Sequence, residues 1–116
     1  MIVVVARKGF IEKNRAAMVD LLEDTVSAIR WYIAPANRAE AIQYLSAFTK
    51  LPPERFEGWL FDSVKDYYRD PDVRPNLAAL RQNIEVQHQL GFIKADIDPE
   101  KYADLSMLEE AVKRLK

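Results

Sequence analysis

His88 is the only histidine in the chain, and cysteine is absent. Structural and catalytic zinc sites draw on imidazole and thiolate, so a metal site here would rest on carboxylates alone. His88 stands between Gln87 and Gln89 in a run of helical spacing and reads as a surface histidine, not a ligand or a base. Carboxylates gather at Asp20, Glu23 and Asp24, and again at Glu109 and Glu110. Paired carboxylates do acid–base work when burial drives their pKa values apart. These lie on polar helix faces beside Arg or Lys, the pattern of a solvated surface. Ser27, Ser46, Ser63 and Ser106 have no histidine at a suggestive spacing, Gly-x-Ser-x-Gly is missing, and three glycines hardly build a phosphate loop. The sequence predicts no catalytic residue, no metal, no cofactor and no enzymatic activity.

Aromatic side chains are the remaining candidates for binding chemistry. Trp31-Tyr32, Trp59 and Tyr67-Tyr68 offer ring faces that stack on a ligand or line a groove. Tyr32 and Trp59 fall on apolar stripes and read as core or packing residues. Tyr67, Tyr68 and Arg69 fall in an irregular stretch, where binding residues are commoner, and are the candidate ligand-binding residues.

The elements that must position these residues follow from periodicity. Ile2, Val3, Val4 and Val5, continuing into Ala6, form a β-branched run without polar alternation, which predicts a short strand covered on both faces. A strand needs a ladder, and no later segment offers an obvious partner, so this strand is expected to pair with another copy in a homo-oligomer. Asn14 is a candidate cap for a long amphipathic helix through Met18, Leu21, Leu22, Thr25, Ile29, Tyr32 and Ile33, which Pro35 terminates. Asn37 to Glu40 resembles a capping box opening a second helix, and Pro53 opens a short third. Residues 62–75 are irregular, with Tyr67-Tyr68-Arg69 as a brief extended piece. Asn76 starts a fourth helix that Gly91 ends, after which Phe92 and Ile93 are expected to point into a core. Asp98-Pro99-Glu100 opens a short turn, and Asp104 or Ser106 caps a final helix along Leu105, Leu108, Ala111, Val112 and Leu115. The predicted fold is mainly α, one N-terminal β-strand followed by four or five helices, in a single domain spanning residues 1–116.

A chain of 116 residues supports one domain with a modest core. Its net charge of −1 supplies no basic field, which disfavours nucleic acid as a partner. No apolar run approaches a membrane span, so no membrane insertion is expected. The apolar start is short and Arg7 and Lys8 follow it, the reverse of a signal peptide, so as written the chain would stay in the cytoplasm.

The order of segments resembles the C-terminal portion of the solute-binding proteins of nitrate/sulfonate/taurine-type ABC transporters, a fold shared with binding proteins for thiamine pyrimidine precursors. The likeness is carried by Ile2 to Ala6 with Arg7 to Asn14, by Ala28-Ile-Arg-Trp-Tyr32, and by Pro35 to Ala41. Tyr67-Tyr-Arg-Asp-Pro71, Leu77 to Leu80, Leu90-Gly-Phe-Ile93, Asp96-Ile-Asp98 and Tyr102 to Leu105 continue it. The resemblance implies the helical part of a two-lobe α/β periplasmic binding protein, a truncated domain whose cleft residues would precede Met1. It further implies a periplasmic location and an ABC permease as partner, with ligand binding by this chain alone in doubt. The alternative is a helical homo-oligomeric interaction or adaptor module with no small-molecule ligand.

Overall fold

The computed structural model describes residues 5–62, 64–66 and 68–116. Five α-helices carry the fold: α1 (Lys8–Ile33), α2 (Arg38–Thr49), α3 (Glu54–Glu57), α4 (Leu77–Gln89) and α5 (Ser106–Arg114). Single 3-10 turns at Pro35–Asn37 and Pro99–Lys101 prepare the chain before α2 and before α5.

The helix boundaries have local causes. Ala34, held extended at φ −66° and ψ 126° before Pro35, stops α1, as pre-proline sterics require. Lys50 turns left-handed at φ 60° after α2, and Pro52 and Pro53 prevent any continuation. At the start of α4 the Asn76 Oδ1 accepts the Ala79 N–H at 2.9 Å, a side-chain cap. Gly91 closes α4 at φ 77°, where the Phe92 N–H reaches the Gln87 carbonyl at 3.0 Å. Ahead of α5 the Asp104 Oδ1 accepts the Ser106 N–H at 3.0 Å. Lys113 and Arg114 occupy the last turn of α5, where cations complement the helix dipole.

Three expectations are corrected here. The strand is the first: Ile2, Val3 and Val4 lie outside the described residues, Val5 and Ala6 form no strand, and the described residues contain none. Val5 is instead 85% exposed and the chain enters a helix at Lys8, because the backbone has no neighbouring ladder to join and helical bonds to the Arg7 carbonyl are available at once. The second is Asn14, which lies inside α1 at a kink (φ −126°, ψ 23°) and donates from Nδ2 to the Phe10 carbonyl at 2.8 Å. Two helical segments therefore meet at Asn14, as a start there requires, but its amide donates back to the preceding turn and does not cap the one that follows. The third is Phe92, 74% exposed and outside any core.

The main core joins α1 to α5. Val19, Met107 and Ala111 pack with Ile11, Met18 and Leu22, and about two turns further along α1 Val26, Leu108 and Val112 pack with Leu22, Val73 and Leu115. Ala111 is fully buried, and its lone methyl lets the two helices approach closely. Ion pairs follow the seam. Arg114 reaches Asp20 at 2.8 Å and Glu110 at 2.9 Å, and Arg15 reaches Glu110 at 3.3 Å. A second core joins α2 to α3 through Ile42, Phe56 and Leu60, with Leu45 and Phe61 against them.

α4 buries no residue fully. Arg81 fastens it to the Pro99 turn by pairing with Asp98 at 2.6 Å and Glu100 at 3.4 Å. The charge of Asp98 raises the Arg81 pKa above its ordinary value. The radius of gyration is 17.2 Å, against about 13 Å for a compact domain of this length. The helices therefore spread as paired layers around two small cores.

Candidate functional site

The best-constructed side-chain cluster sits where the C-terminal end of α1 meets the start of α2 and the segment after α3. Its members are two guanidinium groups bracketing a pair of tilted rings. The Arg69 guanidinium lies 5.3 Å from the centre of the Tyr32 ring, Tyr32 lies 4.9 Å from Phe61, and the Arg38 guanidinium lies 5.7 Å from Phe61. Cations over ring faces are attracted by the aromatic quadrupole.

Hydrogen bonds lock this stack in place. Asp66, with a side chain only 2% exposed, accepts from Arg69 at 2.7 Å and 3.2 Å, and also from the Phe61 N–H at 2.8 Å. Phe61 needs that anchor because it adopts φ 64°, a left-handed conformation costly for a bulky residue. Arg38 donates to the Leu60 carbonyl at 3.1 Å and the Glu57 carbonyl at 3.4 Å, closing the end of α3. Nearby, Asp62 accepts the N–H groups of Val64 and Lys65, both at 2.9 Å, and these backbone bonds hold its pKa below the ordinary carboxylate value.

The three candidate ligand-binding residues part company. Tyr67 lies outside the described residues. Tyr68 is 81% exposed. Arg69 is 14% exposed at its side chain, with its fork engaged by Asp66 and one face by Tyr32. The structure thus does not bring Tyr68 and Arg69 together around a common space. Asp66 and Arg38, the two residues that organise this corner, were not singled out from the sequence. The Asp66–Arg69 spacing of three is the signal that would have found the first, as a carboxylate–guanidinium pair within one turn.

A shallow cleft of ≈ 160 Å³ opens beside the stack, lined by Ile33, Ala34, Pro35, Arg38 and Phe61. Ligand pockets run to about 300–1,000 Å³ with several convergent polar groups. Here Arg38 is the one charged side chain in the lining, and it already serves two carbonyls. This geometry orients a loop; it has no pair of groups set to move a proton.

The same corner is tied to the α1–α5 core by Arg30, which donates to Asp72 at 2.6 Å. That bond, chiefly, holds the Asp72 carboxyl below its ordinary pKa. His88 is exposed on α4. Asp20 and Glu23 flank the α1–α5 seam, where both face Arg114, whose pKa is raised chiefly by its bond to Asp20. Among the described residues, no three of His, Cys, Asp or Glu are placed to hold a metal ion. Among the same residues no helix is long and apolar enough to cross a membrane.

No protein-family model, no curated protein and no solved structure matches this chain.

Proposed function

We propose that the chain is the helical C-terminal part of a solute-binding protein of an ABC uptake system, presenting an apolar wall to a binding lobe and holding no ligand by itself. One observation carries this reading beside the sequence resemblance. Large apolar side chains stay open along several elements, with Phe10 54% exposed, Tyr44 62%, Phe48 86%, Leu90 63% and Phe92 74%. A contiguous exposed apolar patch marks a surface that meets other protein, and Tyr44 and Phe48 lie one turn apart on α2. Two segments bearing the resemblance also meet one another: Tyr32 of the first contacts Arg69 of the later one. The test is an antibody raised against the α5 peptide and used on fractionated cells. Its target in the osmotic-shock fluid, in one polypeptide or one complex with a binding lobe, is the expected result. A free species of about 13 kDa confined to the cytoplasm overturns the reading.

A second reading, a helical interaction module without a small ligand, is favoured by the charge-free stretch of α2. The same fractionation separates the two: a complex with a binding lobe in the shock fluid is what the first reading predicts, and a free species of about 13 kDa is what the interaction module predicts.

A further inference from the structure

Residues 76–101 form an excursion that contributes nothing to either core. α4 buries no residue fully, its main packing partner is the Pro99 turn, and no residue of the excursion enters a hydrophobic cluster of the described residues. Among the described residues, every hydrogen bond and ion pair that it makes closes within residues 75–103. Its two feet stand together. Val73 before it and Leu108 after it pack in one cluster with Val26 and Val112. The excursion can therefore lift away without parting its own ends and without undoing the α1–α5 seam. Segments that open at low cost are those with few buried apolar contacts.

What holds the excursion shut is largely polar. Leu80, Ile84 and Ile93 are only half-buried. Arg81, on the same half-buried side of α4, reaches Asp98 at 2.6 Å and Glu100 at 3.4 Å. The Asp98 Oδ1 also accepts the Glu100 N–H at 3.1 Å, so one guanidinium ties the helix to the cap of the turn. The Arg81 and Glu100 side chains are 41% and 62% exposed, which leaves this tie open to screening by salt, as a packed apolar seam is not. We propose that residues 76–101 are a hinged arm that opens as one unit, with Arg81 as its clasp, while α1 and α5 stay closed. The hinges are Arg74 and Pro75 at one foot and Tyr102 to Leu105 at the other, all outside regular helix. This goes beyond both functional readings and depends on neither.

Amide hydrogen exchange on the intact chain tests the arm. Corrected for intrinsic rates, the amides of Ile84, Val86 and His88 should exchange at least roughly 30-fold faster than those of Val26 and Ala111. Arg81→Gln should speed exchange in α4 roughly fivefold while Val26 and Ala111 stay put. Sodium chloride at about 1 M should act on α4 in the same direction, and that response should vanish in Arg81→Gln. Asn83→Pro, at an exposed position, breaks α4 outright. Protection at Val26 and Ala111 should survive that change within about twofold. Its loss overturns the independence of the arm, as do equal rates in α4 and in the α1–α5 seam. Exchange in α4 that Arg81→Gln leaves unchanged, or that still responds to salt in that variant, overturns the clasp.

Discussion

The Asp66 carboxylate grips both ends of the Arg69 fork, at 2.7 Å and 3.2 Å, three residues away in sequence and nearly out of contact with water. The same carboxylate receives the Phe61 N–H, so one acidic group fixes a guanidinium and a left-handed backbone together. Removing one member of a buried ion pair leaves the other charge uncompensated. Asp66→Ala is therefore expected to destabilise the fold by about 3 kcal/mol. A urea titration reads this as a lower midpoint. Arg69→Lys should fall between the two, because a lysine keeps the charge and loses the fork. An unchanged midpoint in Asp66→Ala would refute the structural role assigned to this pair.

Ala111 tests how tightly α1 and α5 are packed. It is fully buried against Val19, Ile11, Met18 and Leu22. Ala111→Leu adds three carbons where there is no room, and overpacking of this kind costs about 1–3 kcal/mol. Met107→Ala in the same cluster should cost about 2–5 kcal/mol by opening a cavity. Tyr102→Ser, at an 81% exposed position, should shift the thermal midpoint far less than either.

Val73 reports on backbone strain. A β-branched residue at φ 60° is held there against its preference, and it also packs on Val26, Leu108 and Val112. Val73→Gly removes strain worth about 1–3 kcal/mol and loses apolar contact of similar size. The expected result is a nearly unchanged unfolding midpoint, while Val26→Gly, at a fully buried helical position, should destabilise strongly.

Stability should depend on pH on the acid side. Asp62, Asp72 and Asp104 are all held below the ordinary carboxylate value, respectively by backbone N–H groups, by Arg30 and by Ser106. A carboxyl with a depressed folded pKa binds its proton more weakly in the native state than in the unfolded one. Its contribution is complete above the unfolded pKa, about 4, and is lost as pH falls through the folded value. Denaturation midpoints should be flat from neutrality to about pH 5 and decline below about pH 4. Asp72→Asn should flatten part of that decline; a decline of unchanged depth would exclude the Arg30 pair as a contributor.

Several elements could be read from local signals, and the reason is that each has a local cause. Pro35 ends α1, Asn76 caps α4, Gly91 ends it, and Asp104 bonds the first N–H of α5. Each involves residues within a turn of one another. What stayed hidden depends on partners distant in sequence. Nothing in the periodicity of α1 says that its stripe meets Met107 and Leu108. Ile2 to Val5 has the composition of a strand, yet a strand exists only where a ladder is supplied, and Val5 is left in solvent. Asn37 illustrates the same limit at shorter range: α2 does start beside it, but its side chain donates to the Trp31 carbonyl instead of capping. Arg69 reads as ligand chemistry only when the carboxylate three residues before it, Asp66, is overlooked.

The pairing of α1 with α5 also sets a schedule for biosynthesis. Val19 and Val26 leave the ribosome well before Ala111 and Val112, which cover them from far along the chain. At about 5–20 residues per second, the apolar stripe of α1 waits about 5 to 20 s for its cover. Throughout that interval a nascent chain carries an amphipathic helix with no finished core. Such a chain is a natural client for chaperones that hold apolar helices, and slowing translation of the stretch between α1 and α5 would lengthen the exposure.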